Sequence, residues 1–133
     1  MQSHIAVKRR SENLGVACIY LFGSRAQSLD QPHSDFDIGI LLSHPSQLKN
    51  SAGLYQELYE IFSDFFQTMA NIDIVFLQES TGQLCYHVVK EGQVLFDIDP
   101  RLRRRFEDQT ILEHADFEPH RRLFEKHLLE SIP

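Results

Sequence analysis

Within "GSRAQSLDQPHSDFDIG", residues 23–39, a Gly-Ser pair is followed after ten residues by Asp35 and Asp37, two carboxylates one position apart. If they open a β-strand, both project to the same face with Cα atoms about 6.6 Å apart. Carboxylates held that close repel each other, and the usual reason for the arrangement is a divalent cation taking oxygen ligands from both. Magnesium suits such hard oxygens and commonly completes its shell with substrate phosphates. A third carboxylate, Asp73, lies in "NIDIVFL" (71–77), where a lone buried charge is costly, and is expected to face the same ions. Three carboxylates from two neighbouring strands can hold two Mg2+ ions about 4 Å apart, clamping the attacking and leaving oxygens of an in-line phosphoryl displacement. Asp73 can also take the proton of an attacking hydroxyl.

Gly23 and Ser24 supply complementary chemistry. Glycine lets a backbone approach a ligand closely, and the N–H groups of a following turn, with a serine hydroxyl, cradle phosphate oxygens. Arg25 fits a phosphate contact and a surface ion pair equally well. Each feature alone has a plain structural reading: a strand-to-turn glycine, a strand start, a charged edge strand. Their order on successive strands argues for chemistry. His33, inside the motif loop, reads as a solvated histidine, and the other histidines show no metal-ligand spacing.

These residues need a scaffold of strands. "VACIYLF" (16–22), "FDIGILL" (36–42), "NIDIVFL" (71–77) and the weaker "QVLFD" (93–97) have the β-branched and aromatic content of strands. Leu54, Leu58, Ile61, Phe62, Phe65, Phe66 and Met69 recur at helical spacing, predicting a long amphipathic helix between the second and third runs. "STGQLCYHVVKEG" predicts a helix with its cap at Ser80 or Thr81 and its stop at Gly92. From Pro100 onward the chain is helical in composition, with Pro119 predicting a break. The expectation is a single α/β domain over residues 1–133, with a small mixed sheet and helices packed against it.

A chain of 133 residues that is 42% hydrophobic can bury a core without a second domain. No segment resembles a signal peptide or a membrane span, so a cytoplasmic protein is expected. Cys18 and Cys85 sit in apolar stretches without C-x-x-C spacing, as packed thiols do. Residues 1–100 carry six Lys/Arg against twelve Asp/Glu, which argues against direct nucleic-acid binding. Residues 101–133 carry seven of each, including the cluster Arg101, Arg103, Arg104 and Arg105, which suits either a solvated helix face or an acidic partner.

The spaced motif resembles that of the nucleotidyltransferases typified by DNA polymerase beta, in which Gly-Ser, ten residues and D-x-D precede a third carboxylate on a later strand. Gly23, Ser24, Asp35, Asp37 and Asp73 occupy those positions. The length and the "VVKEGQVLFD…RLRRRFE" tail resemble in particular the minimal nucleotidyltransferase (MNT) antitoxins that pair with HEPN-domain toxins. Gln27 and Ser28 depart from the Gly or Arg common after "GSRA", and no phosphate contact is carried over to them. The resemblance implies ATP as substrate, Mg2+ as cofactor and transfer of AMP to a tyrosine hydroxyl of a HEPN ribonuclease toxin. Asp35 and Asp37 would bind both metals, Asp73 one of them, and Gly23 and Ser24 the triphosphate. So short a chain leaves the acceptor to bring much of its own surface, implying a hetero-oligomer with the toxin. The Arg cluster or Phe117, Leu123, Phe124, Leu128 and Leu129 are candidates for that interface, although core packing suits the apolar ones better. Two rivals remain: an antitoxin that only masks its toxin, and a nucleotidyltransferase for a small molecule such as an aminoglycoside, which usually carries an added helical domain.

Overall fold

The four apolar runs form one sheet in a computed structural model that describes residues 3–26, 35–67 and 71–114. Its strands are β1 (Val16–Phe22), β2 (Phe36–Leu42), β3 (Ile72–Phe76) and β4 (Gln93–Asp97), in the order β3-β2-β1-β4. β1 is antiparallel to both β2 and β4, whereas β2 and β3 are parallel, so the sheet is mixed as expected. A parallel neighbour requires a crossover, and the intervening amphipathic segment provides it. Leu77 leaves the third run to open a short 3-10 turn, Leu77–Glu79.

Helices cover both faces. On one face, α1 (His4–Asn13) and α2 (Ser51–Phe66) pack over Ile19, Ile38, Ile40, Ile72 and Ile74, with Leu54, Leu58, Ile61 and Phe62 of α2 buried among them. α2 stops at Phe66 because Gln67 takes the left-handed conformation (φ 47°), which breaks the helical hydrogen-bond pattern. On the other face, α3 (Gly82–Glu91) and the helical residues 100–114 (α4) pack over Cys18, Tyr20, Phe22 and Leu41. Thr81 caps α3 by accepting a hydrogen bond from the Leu84 N–H at 3.1 Å. Met69, His33, Gln27, Ser28, Pro119 and the apolar residues from Phe117 onward lie outside the described residues.

α1 has no counterpart in the sequence reading. Its apolar content is sparse, and Ile5 is 71% exposed, so no hydrophobic stripe announces it. What holds it is the Ser3 hydroxyl accepting from the Ala6 N–H and the burial of Val7 and Ser11, one turn apart on one face.

α4 is tied to the sheet by a polar clamp. Tyr20, 1% exposed, donates its hydroxyl to Glu107 Oε2 at 3.3 Å. Arg103 pairs with Glu107 Oε1 at 2.6 Å and with Asp97 Oδ2 at 2.9 Å. The basic cluster is thereby divided: Arg103 belongs to the clamp, while Arg101, Arg104 and Arg105 are exposed. Cys18 and Cys85 are buried and form no disulfide, and burial pushes the Cys18 thiol up to about 12, as expected of inert packed thiols. Among the described residues, no helix is long and apolar enough to cross a membrane.

Phe62 is fully buried where α2 meets the sheet. Phe62→Ala is expected to lower unfolding free energy by about 3–5 kcal/mol, read from urea denaturation.

Candidate active site

The sheet brings two of the candidate carboxylates directly together. In the parallel β2–β3 pair, Asp37 stands in register with Asp73. Register partners on adjacent strands project to the same face, with backbones about 4.8 Å apart. Strand alternation puts that face opposite Ile38 and Ile74, on the side covered further along by α3 and α4. At this end Asp35 and Asp73 are exposed and Asp37 is half-buried. Asp73 therefore escapes the burial cost that the sequence suggested for it.

Burial, and then the charges of Asp73 and Asp35, push the Asp37 carboxyl above the ordinary carboxylate range. Asp35 precedes β2 and contributes by its charge to that shift, so the three carboxylates form one electrostatic group. Among the described residues, no three His, Cys, Asp or Glu side chains close into a ready metal cage.

The end of β1 brings Gly23 beside this group. Phe22 is the cross-strand partner of Asp37, and Gly23, next in the chain, has φ +76°. A Cβ there would stand 2.3 Å from Asp37 Oδ2, so only glycine lets the turn pass this close to the carboxylate. Ser24 follows, half-buried, in the same turn.

Arg25 makes a contact of another kind. Its guanidinium lies 3.8 Å from the centroid of the Phe36 ring, which stacks at 4.2 Å on Phe66 of α2. Phe36 belongs to the α2 side of the sheet, so this contact ties the turn to that side.

Two further residues border the site. His87 of α3 meets Phe22 edge-on at 6.4 Å, and Gln93, first residue of β4, donates its amide to the Ala26 carbonyl at 2.7 Å. Both contacts are long-range pairings, and no periodicity or motif in the sequence signals them. A groove of about 390 Å³, with Ser51, Tyr55, Val75, Glu79 and Ser80 in its lining, lies toward the other end of β3 and includes none of Asp35, Asp37 and Asp73.

The chain belongs to the polymerase beta nucleotidyltransferase family, whose model matches residues 6–101. Its fold is similar to solved chains of toxin–antitoxin complexes. One, from a toxin–antitoxin with AMP-PNP, is 24% identical with a TM-score of 0.64, covering 92% of this chain and 98% of that one. Another, from the MntA-HepT toxin–antitoxin, is 23% identical with a TM-score of 0.57, over 92% and 97% of the two chains. A third comes from the complex of tri-AMPylated Shewanella oneidensis HEPN toxin with MNT antitoxin. It is 21% identical with a TM-score of 0.57, over 96% and 99%. At these identities the likeness establishes the fold. No curated protein matches the chain in sequence.

Because the folded chain binds the Asp37 proton more tightly than the unfolded chain does, the associated stability is present at low pH. It is lost as pH rises through the raised value. Asp37→Asn is therefore expected to raise the melting temperature of the metal-free protein at neutral pH. The gain should vanish as pH falls into the ordinary carboxylate range, a trend that thermal melts across pH can follow. Gly23→Ala places a side chain in a left-handed position against Asp37 and is expected to cost at least about 1 kcal/mol in denaturant unfolding.

Proposed function

We propose that the protein is an antitoxin that transfers AMP from ATP to a tyrosine hydroxyl of a HEPN-domain ribonuclease toxin, in the cytoplasm and with Mg2+. The observation that carries this reading is the register of Asp37 with Asp73 at an open sheet corner, against which Gly23 brings its backbone. A pure binding protein gains nothing from carboxylates that repel one another, whereas a nucleotidyltransferase needs them.

The donor set fits magnesium: hard oxygens, mutually destabilised and half-open to solvent, with room for substrate phosphates to complete the coordination. Asp35, Asp37 and Asp73 would hold two such ions, and the chemistry these would supply when bound is neutralisation of phosphate charge. Gly23 and Ser24 bind the triphosphate through the turn that follows β1, with the Ser24 hydroxyl donating to a phosphate oxygen. Asp73, the more exposed of the register pair, accepts the proton of the attacking tyrosine hydroxyl. That oxygen forms its bond to the α-phosphorus as the bond to pyrophosphate breaks. In this scheme Arg25 contributes through the turn, since its guanidinium rests on Phe36.

The toxin supplies the acceptor and much of the surface that orients it. Solved relatives of this fold occur in complexes described as HEPN toxin with MNT antitoxin, one of them with a tri-AMPylated toxin, which supports the choice of partner and reaction. The exposed Arg101, Arg104 and Arg105 of α4 are candidate contacts for an acidic surface on that partner.

Incubation with α-labelled ATP, Mg2+ and the HEPN partner is expected to label the partner. Asp37→Asn or Asp73→Asn should lower the rate by about two orders of magnitude or more, and chelation of Mg2+ should do the same. Unlabelled but fully silenced toxin, with wild type and both variants alike, would instead identify masking as the mechanism.

A further inference from the structure

The turn that approaches the carboxylates is anchored from two sides at consecutive residues. On the α2 side, the Arg25 guanidinium rests on the Phe36–Phe66 stack. On the β4 side, the Ala26 carbonyl accepts the Gln93 amide at 2.7 Å, across 67 positions of sequence. Between these anchors and the end of β1 lie Gly23 and Ser24.

Gln93 is held in place by an abrupt chain reversal. Gly92 alone separates α3 from β4, with its N–H donating to the Val88 carbonyl at 2.8 Å. A Cβ on Gly92 would meet Val88 O at 2.4 Å and Leu21 O at 3.2 Å, so the reversal needs glycine's lack of a side chain. Gln93 is thereby paired with Leu21, two positions before Gly23. The residue is itself exposed, so its side chain does little for the core. Its chemistry suits the place. An amide donates a hydrogen bond without charge, whereas an ammonium or guanidinium would be drawn toward the carboxylates and a glutamate has no proton to give.

We propose that Gln93 is a positioning residue for the nucleotide: by holding the Ala26 carbonyl it keeps the Gly23–Ala26 turn in the shape that receives the triphosphate. This inference rests on the nucleotidyltransferase reading above. Its consequence is selective, because the turn serves the β- and γ-phosphates that ATP has and AMP lacks.

The test compares wild type with Gln93→Met, which keeps the side chain's length and removes the donor. The affinity for a non-hydrolysable ATP analogue with Mg2+, and the KM for ATP in labelling of the HEPN partner, should weaken about three- to tenfold in Gln93→Met, the worth of one hydrogen bond. AMP affinity, kcat and melting temperature should stay near wild type. Gln93→Glu, which repels the carbonyl and adds a negative charge, should weaken ATP further. A merely structural latch would shift the melting temperature and affect AMP and ATP alike, and that result overturns the proposal. Unchanged ATP affinity in Gln93→Met, beside a wild type that labels its partner, overturns the positioning role and leaves the function standing. A wild type that neither binds the ATP analogue nor labels the partner overturns both.

Discussion

Asp37 and Asp73 stand opposite each other on parallel strands, and their mutual repulsion is tolerated because the reverse face of the same strands is locked into the core. Ile38, Ile40, Ile72, Ile74 and Phe76 are buried on the α2 side, and a slip of one residue in either strand would turn its apolar side chains to the other face and its aspartate into the core. The hydrophobic face therefore sets the register, and the register sets the distance between the charges. A local instability is built into the opposite face, stabilised from behind by burial.

The rest of the architecture follows from keeping that corner open. α3 and α4 cover the same face further along, where Tyr20, Glu107, Arg103 and Asp97 join helix to sheet, but Asp73 at the corner is exposed. Solvent reaches carboxylates whose backbones are fixed by the core behind them. Stability is thus drawn from the buried part of the sheet while the candidate site lies at its rim, a common division in folds whose site sits at strand ends.

Much of this was legible in advance. The strand runs were visible because β-branched and aromatic residues cluster between turn residues, and α2 because its apolar residues repeat with helical period. α1 was not visible: its hold depends on a serine cap and on Val7 and Ser11 finding a pocket on the sheet, neither of which makes a periodic pattern. The basic cluster at 101–105 looked uniform in sequence but is not. Arg103 lies inside an ion-pair network because helical geometry turns it toward Asp97, while its neighbours face solvent.

At the site, the spacing from Gly23 and Ser24 to Asp35 and Asp37 was sufficient to indicate phosphate chemistry, because alternation along a strand and the close approach of a glycine are local properties of the backbone. Sequence alone also nominated Asp73, though for a burial that the structure does not bear out. The pairing of Asp73 with Asp37, the contact of Arg25 with Phe36, and the hydrogen bond from Gln93 to Ala26 were decided only in three dimensions. Each joins residues distant in the chain, and their meeting depends on strand order and register, which arise from packing of the whole core rather than from any single stretch of residues.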